Sequence, residues 1–312
     1  MSFALFRLPE VALEELVKNY SHKEVLFLVQ TSQKARRRIS RHTIKTHSIK
    51  PVVFYNKWYS SVELRYDNRE IFEIHIQSIG DHFNSTWRFQ TIVPVLSDGN
   101  SLSSYWIDHI EAFKEILNFI NEIFRIEKVL LEIKVKNSRE PFLIAEHVIL
   151  MNLNIGYINW QRYCGKEEME KLLIVSKDAT DLIIKGFDLF STRFDRFDLL
   201  QKDRLEIDHS TWMTVENILA LRNCKRVWLR KASFKPLQVN QILQECLENP
   251  GELQLLRMYS LFRVTLENIV TGLNAVRVQA GIIKRVRITG NNGIQFLVTL
   301  ESKDTIVIKR ET

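Results

Sequence analysis

The apolar positions of the first forty residues recur at helical spacing. Leu13, Leu16, Val17 and Tyr20 stand at i, i+3, i+4 and i+7, one stripe on a helix that begins soon after Pro9. Ser21-His22-Lys23-Glu24 has the spacing of a capping box, a hydroxyl answered by a carboxylate three residues on. Val25, Leu28, Val29 and Ser32 then repeat the helical pattern, and a third, basic helix follows with Ala35 and Ile39 on its inner face. From Pro51 to about Pro94 the period falls to two. Val62–Tyr66, Phe72–Ile76 and Trp87–Ile92 alternate apolar and polar residues, which predicts antiparallel strand pairing with a turn at Asp67-Asn68-Arg69. Ile110, Phe113, Leu117 and Ile120 predict a helix within Ile107–Phe124, and Val129–Val135 reads as a strand. Pro141–Cys164 is ambiguous, mixing the apolar run Val148–Leu153 with turn residues.

Further on, the pattern repeats itself. Thr214-Val-Glu-Asn-Ile-Leu returns as Thr265-Leu-Glu-Asn-Ile-Val, each copy a capping hydroxyl, an early carboxylate and an apolar run. Strand-like segments at Leu205–Asp208, Val227–Arg230 and Leu253–Met258 alternate with helical ones at Thr214–Leu221, Pro236–Glu248 and Leu266–Leu273. Leu182–Lys185 fits the strand of an earlier unit. Strand–helix units of this size imply parallel strands joined by right-handed crossovers, in a leucine-rich-repeat-like α/β arc. A hairpin over Ile282–Ile288 and Ile294–Leu300, turned at Gly290–Gly293, and a strand over Thr305–Lys309 follow it. The expected fold is therefore α+β: a helical module (1–45), a mixed β-sheet region with one long helix (51–160), and the arc with its hairpin (161–312).

Composition narrows the class. An apolar fraction of 45% and a charged fraction of 26% are globular values, and ten Gly and six Pro in 312 residues leave little room for long linkers. No run approaches the ~18 apolar residues that span a bilayer, and Met1–Glu10 lacks the features of a secretion signal. The cysteines Cys164, Cys224 and Cys246 are odd in number and far apart, which suits reduced thiols. A cytoplasmic or nuclear protein without membrane contact is expected.

The net charge of +7 comes from one place. Lys34–Lys50 carries seven basic residues and no acidic one, and the remainder holds 37 basic against 37 acidic residues. Phosphate contact or nuclear import would use such a segment. A solvated helix face is the simpler reading, because no aromatic residue interleaves the charges before Phe54, so nucleic acid is not the expected partner. No Cys-x-x-Cys, His-Glu-x-x-His or glycine-rich phosphate loop is present, so neither metal nor cofactor is expected. His42 with His47, and Asp195 with Asp198, read as surface or helix-flank residues. Gly290 and Gly293 suit a turn. Trp228, between Val227 and Leu229, points to the opposite side of its strand; with Arg230 it is the candidate contact for a target.

The N-terminal residues resemble the F-box, the helical module that attaches substrate receptors to SCF-type ubiquitin ligases. Phe6-Arg7-Leu8-Pro9-Glu10 opens the resemblance, which continues through Leu13, Leu16 and Tyr20, Ser21–Leu28 and Thr31-Ser32-Gln33-Lys34. Lys34 and Ala35 stand where the family commonly has Trp, and Tyr20 where it has Leu. Trp212–Leu256 is similar to the type-two F-box-associated region of nematode F-box proteins, through the Asn217 helix, the Val227–Leu229 strand, Val239-Asn240-Gln241-Ile242-Leu243 and Asn249-Pro250, with Cys246 in place of a frequent Trp. The resemblance implies a non-catalytic substrate receptor. Leu8, Pro9, Leu13, Leu16 and Leu28 would bind a Skp-family adaptor, itself held by a cullin, and the body would bind an unidentified protein target. The alternatives are a repeat-type scaffold with no ligase link, or nucleic-acid binding through residues 34–50.

Overall fold

A computed structural model of the chain describes residues 7–56, 59–67, 69–78, 83–99, 101–134, 140–162, 165–186, 194–262, 264–278, 284–302 and 304–311. Met1, Phe6, Asn68, Val135, Cys164 and Ile282, named above, lie outside them. The chain divides at Gly156/Tyr157 into two compact units. That junction is close to the expected 160/161 boundary, but residues 1–45 fall in the same unit as the sheet that follows.

In the first unit, α1 (Glu10–Lys18), α2 (His22–Val29) and α3 (Gln33–Thr46) form where the apolar spacing placed them. Pro9 precedes α1, where its missing N–H costs nothing. The Ser21–Glu24 capping box is present in both directions, at 3.2 and 2.7 Å, and Ser32 caps α3 through the Ala35 N–H at 3.0 Å. Leu13, Val17, Val25, Leu26, Ala35 and Ile39 are fully buried. The strands are β1 (Ser48–Asn56), β2 (Ser60–Tyr66), β3 (Arg69–Ser78), β4 (Ser85–Arg88), β5 (Ile92–Ser97), β6 (Ser101–Trp106), β7 (Arg125–Ile126) and β8 (Val129–Lys134), with α4 (His109–Ile123) before β7 and α5 (Glu140–Leu150) after β8. Their pairings give the order β8-β1-β2-β3-β6-β5-β4, parallel at β8–β1 and β3–β6 and antiparallel elsewhere. The short β7 adds a parallel pair with the start of β1.

Two contacts join the three helices to the rest of the first unit. Arg36, on the inner side of α3, pairs with Glu122 of α4 at 2.8 Å and lies 4.5 Å from the Phe119 ring centroid. Thr43 donates to the carbonyl of Ile123. The predicted strand Trp87–Ile92 is corrected as well: it breaks after Arg88 into a tight bend. The buried carboxylate of Glu115, from α4, accepts from the Gln90 and Thr91 N–H groups at 3.0 and 2.8 Å. Arg36 donates to the carbonyls of Arg88 and Phe89.

β9 (Ile155–Trp160) crosses the junction into the second unit. It is followed by α6 (Lys166–Val175), β10 (Asp181–Ile184), β11 (Arg204–Ile207), α7 (Val215–Ala220), β12 (Arg226–Ala232), α8 (Pro236–Glu248), β13 (Leu255–Ser260), α9 (Leu266–Ile269), β14 (Ala275–Val278), β15 (Lys284–Thr289), β16 (Gln295–Ser302) and β17 (Thr305–Glu311). β9, β10, β11, β12 and β13 pair in that order and all in parallel. The register aligns Leu205, Val227 and Leu256, and beside them Ile207, Leu229 and Met258; all six are buried, while Val215, Ile218, Val239, Ile242 and Leu243 supply buried apolar residues from α7 and α8. The parallel strand–helix array is thus present. Thr214 and Thr265 both cap their helices. β17 pairs antiparallel with β13 and with β16, and β16, β15 and β14 continue antiparallel, with the β15–β16 turn at Gly290–Gly293.

Candidate interaction surfaces

Folding the N-terminal stripe leaves part of it uncovered. Leu8, Leu16 and Leu28 are half-buried and Pro9 is exposed. Leu13 is not: at 0% exposure it belongs to the core with Val17, and the expectation that it meets a partner is corrected. A helix stripe broad enough to pack on one side keeps its central residue inside and its flanks outside. Leu28 shares a groove of about 710 Å³ with Tyr20, Ser21, Lys23, Glu24, Phe27 and Thr31. Phe27, missed in the sequence, forms both floor and anchor of this groove, since its ring packs edge-on against Phe72 and Trp87 at 6.0 and 5.5 Å. The spacing of Tyr20, Glu24, Phe27 and Thr31 could have revealed it.

α1 is clamped to α3 by polar contacts at its start. Arg38 pairs with Glu10 at 2.8 Å and reaches the Leu8 carbonyl, and His42 meets the same carboxylate at 3.1 Å. The Arg38 guanidinium, helped by His42, holds the Glu10 carboxyl below the usual carboxylate range. His47 turns elsewhere, donating from Nε2 to the Tyr20 carbonyl at 2.8 Å. The two histidines therefore serve different contacts. Lys34, Arg37, Arg41 and Lys45 remain outward on α3.

In the second unit, the face of β11–β13 opposite the apolar residues carries Arg204, Glu206, Arg226, Trp228, Arg230, Arg257 and Tyr259. Trp228 is half-buried, with the Arg204 guanidinium 4.3 Å from its ring centroid and its indole N–H unmatched among the described residues. Arg230 pairs with Glu206 at 3.1 Å and Asp208 at 3.3 Å, and Arg204 closes on Glu206 at 3.0 Å. Glu206, buried beneath two guanidiniums, fixes their positions. The structure brings Trp228 and Arg230 onto one face, as the alternation implied.

Reactive chemistry is muted among the described residues. Burial pushes the Cys224 and Cys246 thiols up to about 11 and about 12, so both stay protonated near neutrality. Asp198 is engaged by Arg196 at 2.8 Å. Among the described residues no group of three or more His, Cys, Asp or Glu is gathered as a metal site would need, and no described helix is long and apolar enough to cross a membrane.

The chain has a nematode relative. It is 25% identical over 318 residues to the Skn-1 dependent zygotic transcript 15 protein of Caenorhabditis elegans, across 95% of this chain and 88% of that protein. No family model and no solved structure matches the chain. The likeness runs through both units.

Proposed function

We propose that the chain is a non-catalytic substrate-recognition subunit of an SCF-type ubiquitin ligase. Its N-terminal helices bind a Skp-family adaptor, and through it a cullin, while the Trp228–Arg230 face of the second unit binds a protein target. The observation that carries the reading is the groove beside Leu28, open on helices whose inward residues Leu13, Val17, Val25, Leu26, Ala35 and Ile39 are fully buried. Leu16, Tyr20, Phe27 and Leu28 present apolar surface that the fold itself does not cover, and each fully buried side chain of this kind is worth ~1.5–3 kcal/mol. The F-box-like order of residues and the relative of nearly the same extent support the same reading.

Co-purification of the full chain with a Skp-family adaptor tests it. Wild type is expected to retain the adaptor, and Leu16→Asp with Leu28→Asp to weaken the association about tenfold or more while the fold persists. A chain that never captures the adaptor, or a double variant that captures it equally well, refutes the proposal.

A further inference from the structure

The outer side of α3 differs from every other exposed helix face that carries ion pairs here. Its inner side is buried through Ala35, Arg36, Ile39, Ser40, His42 and Thr43. Outward stand Lys34, Arg37, Arg41 and Lys45, at i, i+3, i+7 and i+11 and therefore in one stripe, with Ile44 40% exposed beside them. Three cations of the segment are taken up internally: Arg36 by Glu122, Arg38 by Glu10 and Lys50 by Glu127. The four on the stripe have no ion pair among the described residues, and α3 contains no carboxylate at all.

A face that only meets water gains from interleaved opposite charges, since like charges three or four residues apart repel. α1 shows that arrangement, with Lys18 against Glu14 and Glu15, and α4 shows it with Lys114 against Glu111. α3 keeps its repulsion, on a helix fixed by the Ser32 cap, the Thr43 bond and the Arg36 contacts. Such a row is relieved by an anionic partner.

Geometry narrows the partner. Residues four apart on a helix are about 6 Å apart along its axis, which sets the pitch of Arg37, Arg41 and Lys45. Carboxylates at i, i+4 and i+8 of another helix have the same pitch, and Ile44 offers an apolar contact beside them. Nucleic acid fits less well: the stripe has no aromatic residue for base stacking, and charge is balanced over the rest of the chain. We infer that the outer face of α3 docks an acidic helix of a partner protein, with carboxylates repeating every fourth residue. The inference does not use the Tyr20–Leu28 groove and stands apart from the adaptor reading.

The test is fluorescence anisotropy with the full chain and a labelled synthetic helix bearing Glu at every fourth position and Leu alongside. A peptide of the same composition in scrambled order and a random-sequence DNA duplex serve as competitors. The ordered peptide is expected to bind, to weaken as salt rises from about 0.05 to about 0.2 M, and to lose about tenfold or more in affinity with Lys34→Ser, Arg37→Ser, Arg41→Ser and Lys45→Ser combined. That variant should melt like wild type, and Leu16→Asp with Leu28→Asp should bind the peptide unchanged. No binding, equal binding of the scrambled peptide, tighter binding of the duplex, or a quadruple variant that binds like wild type would each overturn the inference.

Discussion

Lys202 is the most enclosed lysine among the described residues, at 2% exposure, with its ammonium donating to the Ser176 and Lys177 carbonyls where α6 ends. Burial pulls its pKa from 10.5 to about 8. Above that value the unfolded chain still holds a proton that the folded chain has shed, so stability rises with pH. Cys224 and Cys246 act in the opposite sense: their folded values lie above the ordinary 9.0, and the unfolded chain loses those protons first. Stability should therefore climb from about pH 8 to about pH 9 and then level or fall, and Lys202→Met should abolish the climb; urea unfolding across that range measures both. Nothing near Lys202 in the sequence marks this role, because its partners belong to a helix end some distance back along the chain. Trp228 was legible for the contrary reason, since strand alternation alone fixes which side of Val227 and Leu229 it faces.

Elements with an unbroken apolar period were readable, and their ends less so. α8 spans Pro236–Glu248, the range its pattern predicts, because Pro opens it and its buried residues repeat through Leu247. Its far end is closed from outside, by Asn292 donating to the Leu247 carbonyl at 2.8 Å, just as Asn240 closes α9 through the Ile269 and Thr271 carbonyls. Thr214 shows a subtler gap: the residue that returns its capping bond is Asn217, not the neighbouring Glu216. Between α8 and β13, Gly251 has φ +54°, and a Cβ there would lie 2.6 Å from the Arg222 carbonyl oxygen. Gly251→Ala should cost roughly 1–3 kcal/mol, seen as a lower urea midpoint with an unchanged slope. The bend after Arg88 escaped sequence reading because its organiser sits on α4. Removing that organiser with Glu115→Ala strands the Gln90 and Thr91 N–H groups and should destabilise by about 1–3 kcal/mol in the same assay.

At the scale of the whole molecule, the Leu28 groove is mainly apolar while the Trp228 face carries ion-paired arginines, so binding through them should respond differently to salt. Adaptor capture through the Leu28 groove should change little between about 0.05 and about 0.2 M salt, whereas capture of a target through Trp228 and Arg230 should weaken. Parallel titrations of wild type and Trp228→Ala, with any target recovered by the second unit's face, would separate the two. The parallel order of β10 to β13 was legible because strand and helix alternate in the sequence; β9, inside the ambiguous stretch Pro141–Cys164, was not, nor was the placement of β17, since nothing local tells a late strand which edge it will join. That placement constrains ancestry. A stack of strand–helix units lengthens by duplication most easily where its terminal edge is free, yet β13 has its outer edge occupied by an antiparallel strand, with Leu256 facing Ile308. A gene encoding a longer version of this fold would have to acquire its extra unit inside the array, upstream of β13, or else displace the strand that seals it.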